Sequence, residues 1–172
     1  MARASDAVDA AAIVAALNHH GVRYVVIGAF AAIAQQAPIP ATRDIDVTPD
    51  ASAANLDRLS KALEELGARI RAESEPEGLP FHHTGTSLGS AVCWNLICPY
   101  GEFDITLRPA GFDDPYGELS ERAVLVRVGK VEVPVAHLDD VIRSKEAAGR
   151  PKDLRVLPAL YRWRDTRGQT SS

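Results

Sequence analysis

The segment RYVVIGAFAAIAQQAPIPATRDIDVT, residues 23–48, decides the fold. Arg23 to Ile27 is a β-branched and aromatic run of strand length, too apolar for a half-exposed strand, and it predicts a strand in the middle of a sheet. Gly28-Ala29 ends it, and a short apolar helix follows from about Phe30 to Gln35 until Pro38 and Pro40 break it. Arg43 to Thr48 then alternates charged with apolar residues before Pro49 and Asp50 close the segment. That alternation predicts a short strand with its acids on one face.

Upstream, Ser5 or Asp6 can cap a helix over about Ala7 to His20, with Ile13, Val14 and Leu17 on its apolar stripe and Gly21 at its stop. Downstream, Ser52 can cap a helix through Leu56, Leu59, Leu63 and Leu66, stopped by Gly67. Glu73 to Pro80 reads as an exposed loop. Strands at about Ala91 to Ile97 and Glu102 to Leu107 turn through Pro99-Tyr100-Gly101. A short helix near Pro115 to Arg122 precedes a hairpin, Val124 to Val128 and Val131 to Val135, that pivots on Gly129-Lys130. Two helices close the chain, about Leu138 to Ala148 and Pro151 to Arg162, with Pro151 in the favoured first-turn position.

A chain of 172 residues holds one core rather than two. The expectation is therefore a single α/β domain over residues 1–167, with a disordered tail over 168–172. At 46% apolar and 24% charged the composition excludes general disorder. Cys93 and Cys98 have opposite strand parity, so a mutual disulfide is not expected, and a reducing, cytoplasmic location fits best. Asp6 and Asp9 interrupt the alanine-rich N-terminus, which argues against a signal peptide. The apolar run from Tyr24 to Ala34 is too short to span a bilayer, so no membrane partner is expected. From Arg143 onward eight Lys/Arg stand against three Asp/Glu, although the whole chain carries a net charge of −4. An acidic protein of this kind can still present a basic patch to a polyanion.

Side chains alternate along a strand, so Asp44 and Asp46 point the same way while Ile45 enters the core. Two adjacent carboxylates repel unless a cation sits between them. Mg2+ takes one or two carboxylates plus substrate phosphates, and a pair of Mg2+ ions can clamp both oxygens of an in-line phosphoryl displacement. The Gly28-Ala29 turn lies where backbone N–H groups can meet a phosphate. Asp104, in Gly101-Glu102-Phe103-Asp104-Ile105-Thr106, could complete a three-carboxylate site and accept the proton of an incoming hydroxyl. Glu102 shares its parity and is its rival; the apolar flanks of Asp104 favour Asp104. His82-His83 lacks a partner at zinc-ligand spacing and reads as a loop pair. Asp113-Asp114-Pro115 reads as a turn with a cap, and Trp94 and Trp163 as packing residues.

Val25-Val26-Ile27-Gly28-Ala29 followed by Thr42-Arg43-Asp44-Ile45-Asp46-Val47 resembles the opening signature of the nucleotidyltransferase superfamily. Lys145-Glu146-Ala147-Ala148-Gly149-Arg150-Pro151-Lys152-Asp153 is similar to a motif of the AbiEii and MenT-like toxin nucleotidyltransferases. The resemblance implies a mixed β-sheet flanked by helices, with a C-terminal helical pair. It implies an enzyme that moves a nucleoside monophosphate from an NTP to a hydroxyl, with Asp44, Asp46 and Asp104 as catalytic and metal-binding residues. Gly28, Ala29, Lys145, Lys152 and Asp153 would hold the nucleotide. It further implies a toxin of a toxin–antitoxin pair, the tRNA 3′ end as acceptor and a cognate antitoxin as partner. The same site would serve an antibiotic or a partner protein, and a catalytically silent nucleotide-binding module is the alternative of a different class. Ala29 departs from the pattern: serine or glycine is common there, and no hydroxyl is available to a terminal phosphate.

Overall fold

The computed structural model describes residues 7–169, and its centre is one mixed sheet. In chain order the elements are α1 (Ala10–His19), β1 (Tyr24–Ile27), α2 (Gly28–Ala34), β2 (Asp44–Pro49), α3 (Ala53–Leu66), β3 (Arg69–Ala72) and β4 (Glu75–Leu79). They continue as α4 (Gly85–Leu88), β5 (Cys93–Cys98), β6 (Gly101–Thr106), α5 (Pro115–Arg122), β7 (Val124–Val128), β8 (Val131–Val135), α6 (Leu138–Ala148) and α7 (Pro151–Gln169). The sheet order is β4-β3-β5-β6-β2-β1-β8-β7, with β1–β8 and β2–β6 parallel and the other pairs antiparallel. Helix α1 packs on α3, and α2 and α7 pack on α6.

The central position of β1 follows from its composition. Tyr24, Val25, Val26 and Ile27 are all buried, and both edges of the strand are paired. On β2 only Ile45 and Val47 of the first four residues are buried, so the alternation read from the sequence is the alternation of the fold. Helix α3 begins where Ser52 accepts the Asn55 N–H and ends at Gly67, whose φ of 64° is the left-handed conformation that glycine adopts without strain. The α5, β7, β8 and α6 boundaries coincide with the sequence reading.

Three readings are corrected. The segment 73–80 is not a loop, because Glu75–Leu79 pairs antiparallel with β3 as the outermost strand. Pro76 and Gly78 hid it, and an edge strand tolerates both residues because one side of its backbone has no ladder to break. Helix α1 starts at Ala10 behind an Asp9 cap, whose carboxylate accepts the Ala12 N–H; the expected caps Ser5 and Asp6 lie outside the described residues. Helix α7 runs on to Gln169, through Gly168 and past the expected start of the tail, anchored where Trp163 Nε1 donates to Gln35 O at 3.2 Å. Residues 170–172 lie outside the described residues.

Candidate active site

The parallel register of β2 and β6 sets Asp46 opposite Asp104 and Asp44 opposite Glu102. Their neighbours Ile45, Phe103 and Ile105 are buried in the core, so the acids all emerge on the other face. The carboxylates of Asp44, Asp46 and Asp104 each offer an oxygen within 4.8 Å of the others. Glu102 lies one step along the ladder and turns to Arg71, 3.4 Å away. Of the two rivals for the third carboxylate, Asp104 is thus the one that joins the pair.

Gly28 makes room for this cluster. Its φ is 71°, and a Cβ placed there would lie 2.8 Å from Asp46 Oδ2. The glycine therefore answers two constraints, a left-handed backbone and a carboxylate against its α-carbon. Thr42 Oγ1 donates to Asp44 Oδ1 at 2.7 Å and fixes that side chain at the strand entrance.

Crowding shows in the proton affinities. Burial, then the charge of Asp104 and a hydrogen bond to it, then the charge of Asp44, push Asp46 up to about 8, with Lys152 pulling the other way. Burial also raises Asp104, opposed by the hydrogen bond from Asp46 and the charge of Arg71. Burial and mutual repulsion thus make this pair of carboxyls hold a proton well above the usual carboxylate range, as expected for acids too close to ionise together. Arg71 on β3 supplies positive charge here through ion pairs to Asp104 and Glu102. Its Nε is buried with no hydrogen-bond partner among the described residues, which marks a guanidinium only partly satisfied where it lies.

The acids line a cleft of about 400 Å³ together with Gly28, Lys145, Lys152 and Asp153. Every site residue expected from the sequence is on this lining except Ala29, which follows Gly28 into α2. Asp153, in the first turn of α7, is 1% exposed and accepts from Lys145 Nζ at 3.4 Å and Arg150 Nε at 2.7 Å. Burial works to raise its pKa, but Arg150 and then Lys145 more than offset that and hold it below the usual carboxylate range. One buried anion thereby positions two cations beside three acids.

Sequence reasoning missed Arg71, Arg150, Asn95, Thr106 and Arg108. Thr106 and Arg108 continue the parity of Asp104, and Asn95 lies opposite Asp104 on β5, so a register would have found them. Nothing in the sequence marked Arg71.

No protein-family model matches the chain, and no curated protein is significantly similar to it. Solved structures are similar. LnuA, a lincosamide antibiotic adenylyltransferase with lincomycin bound, aligns over 88% of this chain and 94% of its own at 17% identity and a TM-score of 0.57. The fold is that of the nucleotidyltransferases. TM1012 of Thermotoga maritima, a candidate nucleotidyltransferase, aligns over 91% of both chains at 17% identity and a TM-score of 0.52. The complex of ANT(2'')-Ia with adenylyl-2''-tobramycin aligns over 86% of this chain and 83% of its own, at 15% identity and a TM-score of 0.50. At these identities the nucleotidyltransferase likeness is one of fold; it stops short of the toxin branch suggested by Lys145 to Asp153.

Proposed function

We propose that the protein is a Mg2+-dependent nucleotidyltransferase that moves a nucleoside monophosphate from an NTP to an acceptor hydroxyl. The observation that carries this reading is the convergence of Asp44, Asp46 and Asp104 within 4.8 Å, in a cleft also lined by Lys145, Arg150 and Lys152. A ligand that satisfies both halves of that lining carries divalent metal and polyphosphate together. The donor set is all oxygen, as a hard cation requires, and like-charged acids this close are relieved by a divalent cation between them. Bound Mg2+ would neutralise charge on the phosphoryl oxygens during the transfer.

The chain's own residues supply the rest. Asp44 and Asp46 hold the metal site, with Thr42 orienting Asp44. Asp104 joins that site and accepts the proton of the attacking hydroxyl, whose oxygen bonds to the α-phosphorus as the bond to pyrophosphate breaks. Lys145 and Lys152 draw in the triphosphate, and Asp153 keeps Lys145 and Arg150 in place without consuming the whole of either charge. The backbone at Gly28 and Ala29 borders the phosphates, with the bare α-carbon allowing close approach.

For the acceptor we favour the tRNA 3′ end, in a toxin held in check by an antitoxin. The support is the Lys145 to Asp153 motif and the exposed Lys152, Arg155, Arg162, Arg164 and Arg167 of α7, a cationic surface suited to a nucleic-acid backbone. A cytoplasmic location accords with two free cysteines, and among the described residues no helix is long and apolar enough to cross a membrane. A second reading, transfer to a small hydroxylated antibiotic, is supported by the ligands of LnuA and ANT(2'')-Ia. Labelled NTPs offered with total tRNA, and separately with lincosamides and aminoglycosides, decide between them. Label in tRNA alone supports the first, label in a small molecule alone the second, and metal-independent NTP binding that survives Asp44→Ala/Asp46→Ala sinks both.

A further inference from the structure

Among the described residues a second group of metal-ligating side chains lies on different elements from the acidic cleft: His19, His20 and Glu65. Helix α1 ends at His19, and His20 is its C-cap before Gly21 turns the chain toward β1. Glu65 sits in the last turn of α3, the helix packed on α1. Two consecutive imidazoles at one helix end thus meet one carboxylate at another.

The distances are informative. His19 Nδ1 lies 3.0 Å from Glu65 Oε1, and His20 Nε2 lies 3.6 Å from Glu65 Oε2. One nitrogen or oxygen from each residue falls within 4.8 Å of the other two. Ligand atoms on a tetrahedral ion with bonds of about 2.0–2.1 Å stand roughly 3.3 Å apart, and each imidazole nitrogen lies within a few tenths of an ångström of that spacing from one of the two Glu65 oxygens. A hydrogen-bonded surface cluster explains the first contact but not the second. At 3.6 Å, His20 Nε2 is beyond hydrogen-bond range of the carboxylate, and it is enclosed with no hydrogen-bond partner among the described residues.

We propose that His19, His20 and Glu65 form a binding site for a first-row transition-metal ion of the zinc class, joining the C-terminal ends of α1 and α3. Nδ1 of His19, Nε2 of His20 and a Glu65 oxygen are the ligands. Three protein ligands leave a fourth position, and two of them, His19 and Glu65, border a depression of about 520 Å³ also lined by Ala12, Ala16, Leu66 and Tyr100, where water or an outside donor can complete the shell. The donor set separates this site from the acidic cleft: imidazole nitrogen selects zinc, cobalt, nickel or copper, while three carboxylates select magnesium or manganese. The proposal stands independently of the transferase reading.

The test uses full-length protein without an affinity tag, stripped by chelator and titrated with Co2+ and then Zn2+. Wild type is expected to take up one equivalent of Co2+ with the intense visible absorption of a four-coordinate ion. Zn2+ should quench that absorption, and millimolar Mg2+ should leave it unchanged. Glu65→Gln and His20→Ala should each weaken binding at least tenfold, whereas Asp46→Asn and His83→Ala should bind as wild type does. His19→Gln, at a side chain 70% exposed, provides a variant whose folding is not at stake. Equal Co2+ affinity in wild type, Glu65→Gln and His19→Gln would overturn the site, as would loss of the absorption in Asp46→Asn.

Discussion

Replacing Gly28 by alanine tests the acidic site at its tightest point. The backbone there has φ 71°, where a Cβ costs roughly 1–2 kcal/mol. For a domain of this size that lowers the melting temperature by about 2–8 °C. A second effect is local: the new methyl would sit 2.8 Å from Asp46 Oδ2, and ordinary contact begins at 3.4 Å, so the carboxylate must retreat. A shift of roughly 0.6 Å, where about 1 Å costs up to about 100-fold, is expected to lower Mg-NTP turnover by about 10-fold or more. Gly67→Ala is the control. Its φ is 64° with nothing among the described residues within 4 Å of the added Cβ, so it carries the same backbone strain without the contact. Thermal melts and calorimetric titration with Mn2+ and each Mg-NTP should show similar destabilisation in both variants and weakened metal binding in Gly28→Ala alone. If Gly28→Ala binds metal as Gly67→Ala does, Gly28 is a backbone hinge and nothing more.

Asp46 has a folded pKa of about 8 against an ordinary 3.8, so its contribution to stability is full below about 4 and lost as pH rises through 8. The gain in melting temperature on adding Mg2+ should therefore be larger at pH 8 than at pH 6, and an equal gain at both would contradict the shared proton. Asp46→Asn should abolish Mg2+ binding yet melt higher than metal-free wild type at pH 8, because it removes the repulsion; a lower melting point would count against a crowded carboxylate pair. Arg71→Gln removes the cation that competes for Asp104, and calorimetry should show Mg2+ binding about tenfold tighter, equivalent to 1.4 kcal/mol; unchanged affinity would show that Arg71 leaves Asp104 free for the ion. Asp153→Asn leaves Lys145 and Arg150 without their anion and should cost about 2 kcal/mol in a denaturant melt, below the full penalty for a broken buried pair because Arg150 is 59% exposed. A loss under half that size would mean that Asp153 only caps α7.

How much of this was legible before the structure depends on which residues carry local signals. β1, α3, α5, the β7–β8 hairpin and α6 declared themselves through periodicity, capping and turn chemistry, all short-range properties of the chain. The edge strand β4 did not, because Glu75, Pro76, Glu77 and Gly78 are poor strand formers that only the existing edge of β3 recruits. Arg71 was invisible for the same reason: its partners Glu102 and Asp104 are more than thirty positions away, and they meet it through β5, to which both β3 and β6 pair.

The rivalry of Glu102 and Asp104 shows where the boundary falls. Parity puts both on the face of Asp44 and Asp46, so no property of β6 alone separates them. The parallel register does: with Asp46 opposite Asp104, the third carboxylate is set beside the acid that lies against Gly28, while Glu102 is set opposite Asp44, one step along the ladder, and Arg71 pairs with both. A slip of two residues would exchange them while leaving every buried side chain on the buried face, so the hydrophobic pattern cannot choose between the two registers. That choice must come from the residues that end the strands, and Gly101, with φ 128° and its α-carbon against Val8, is one that fixes where β6 begins. Gly101→Ala, at a position outside the cleft lining, should therefore weaken Mg2+ binding by loosening the start of β6, and titration calorimetry at constant fold content is the measurement that would show it. Undiminished Mg2+ affinity in that variant would mean that the register is held elsewhere along β5 and β6.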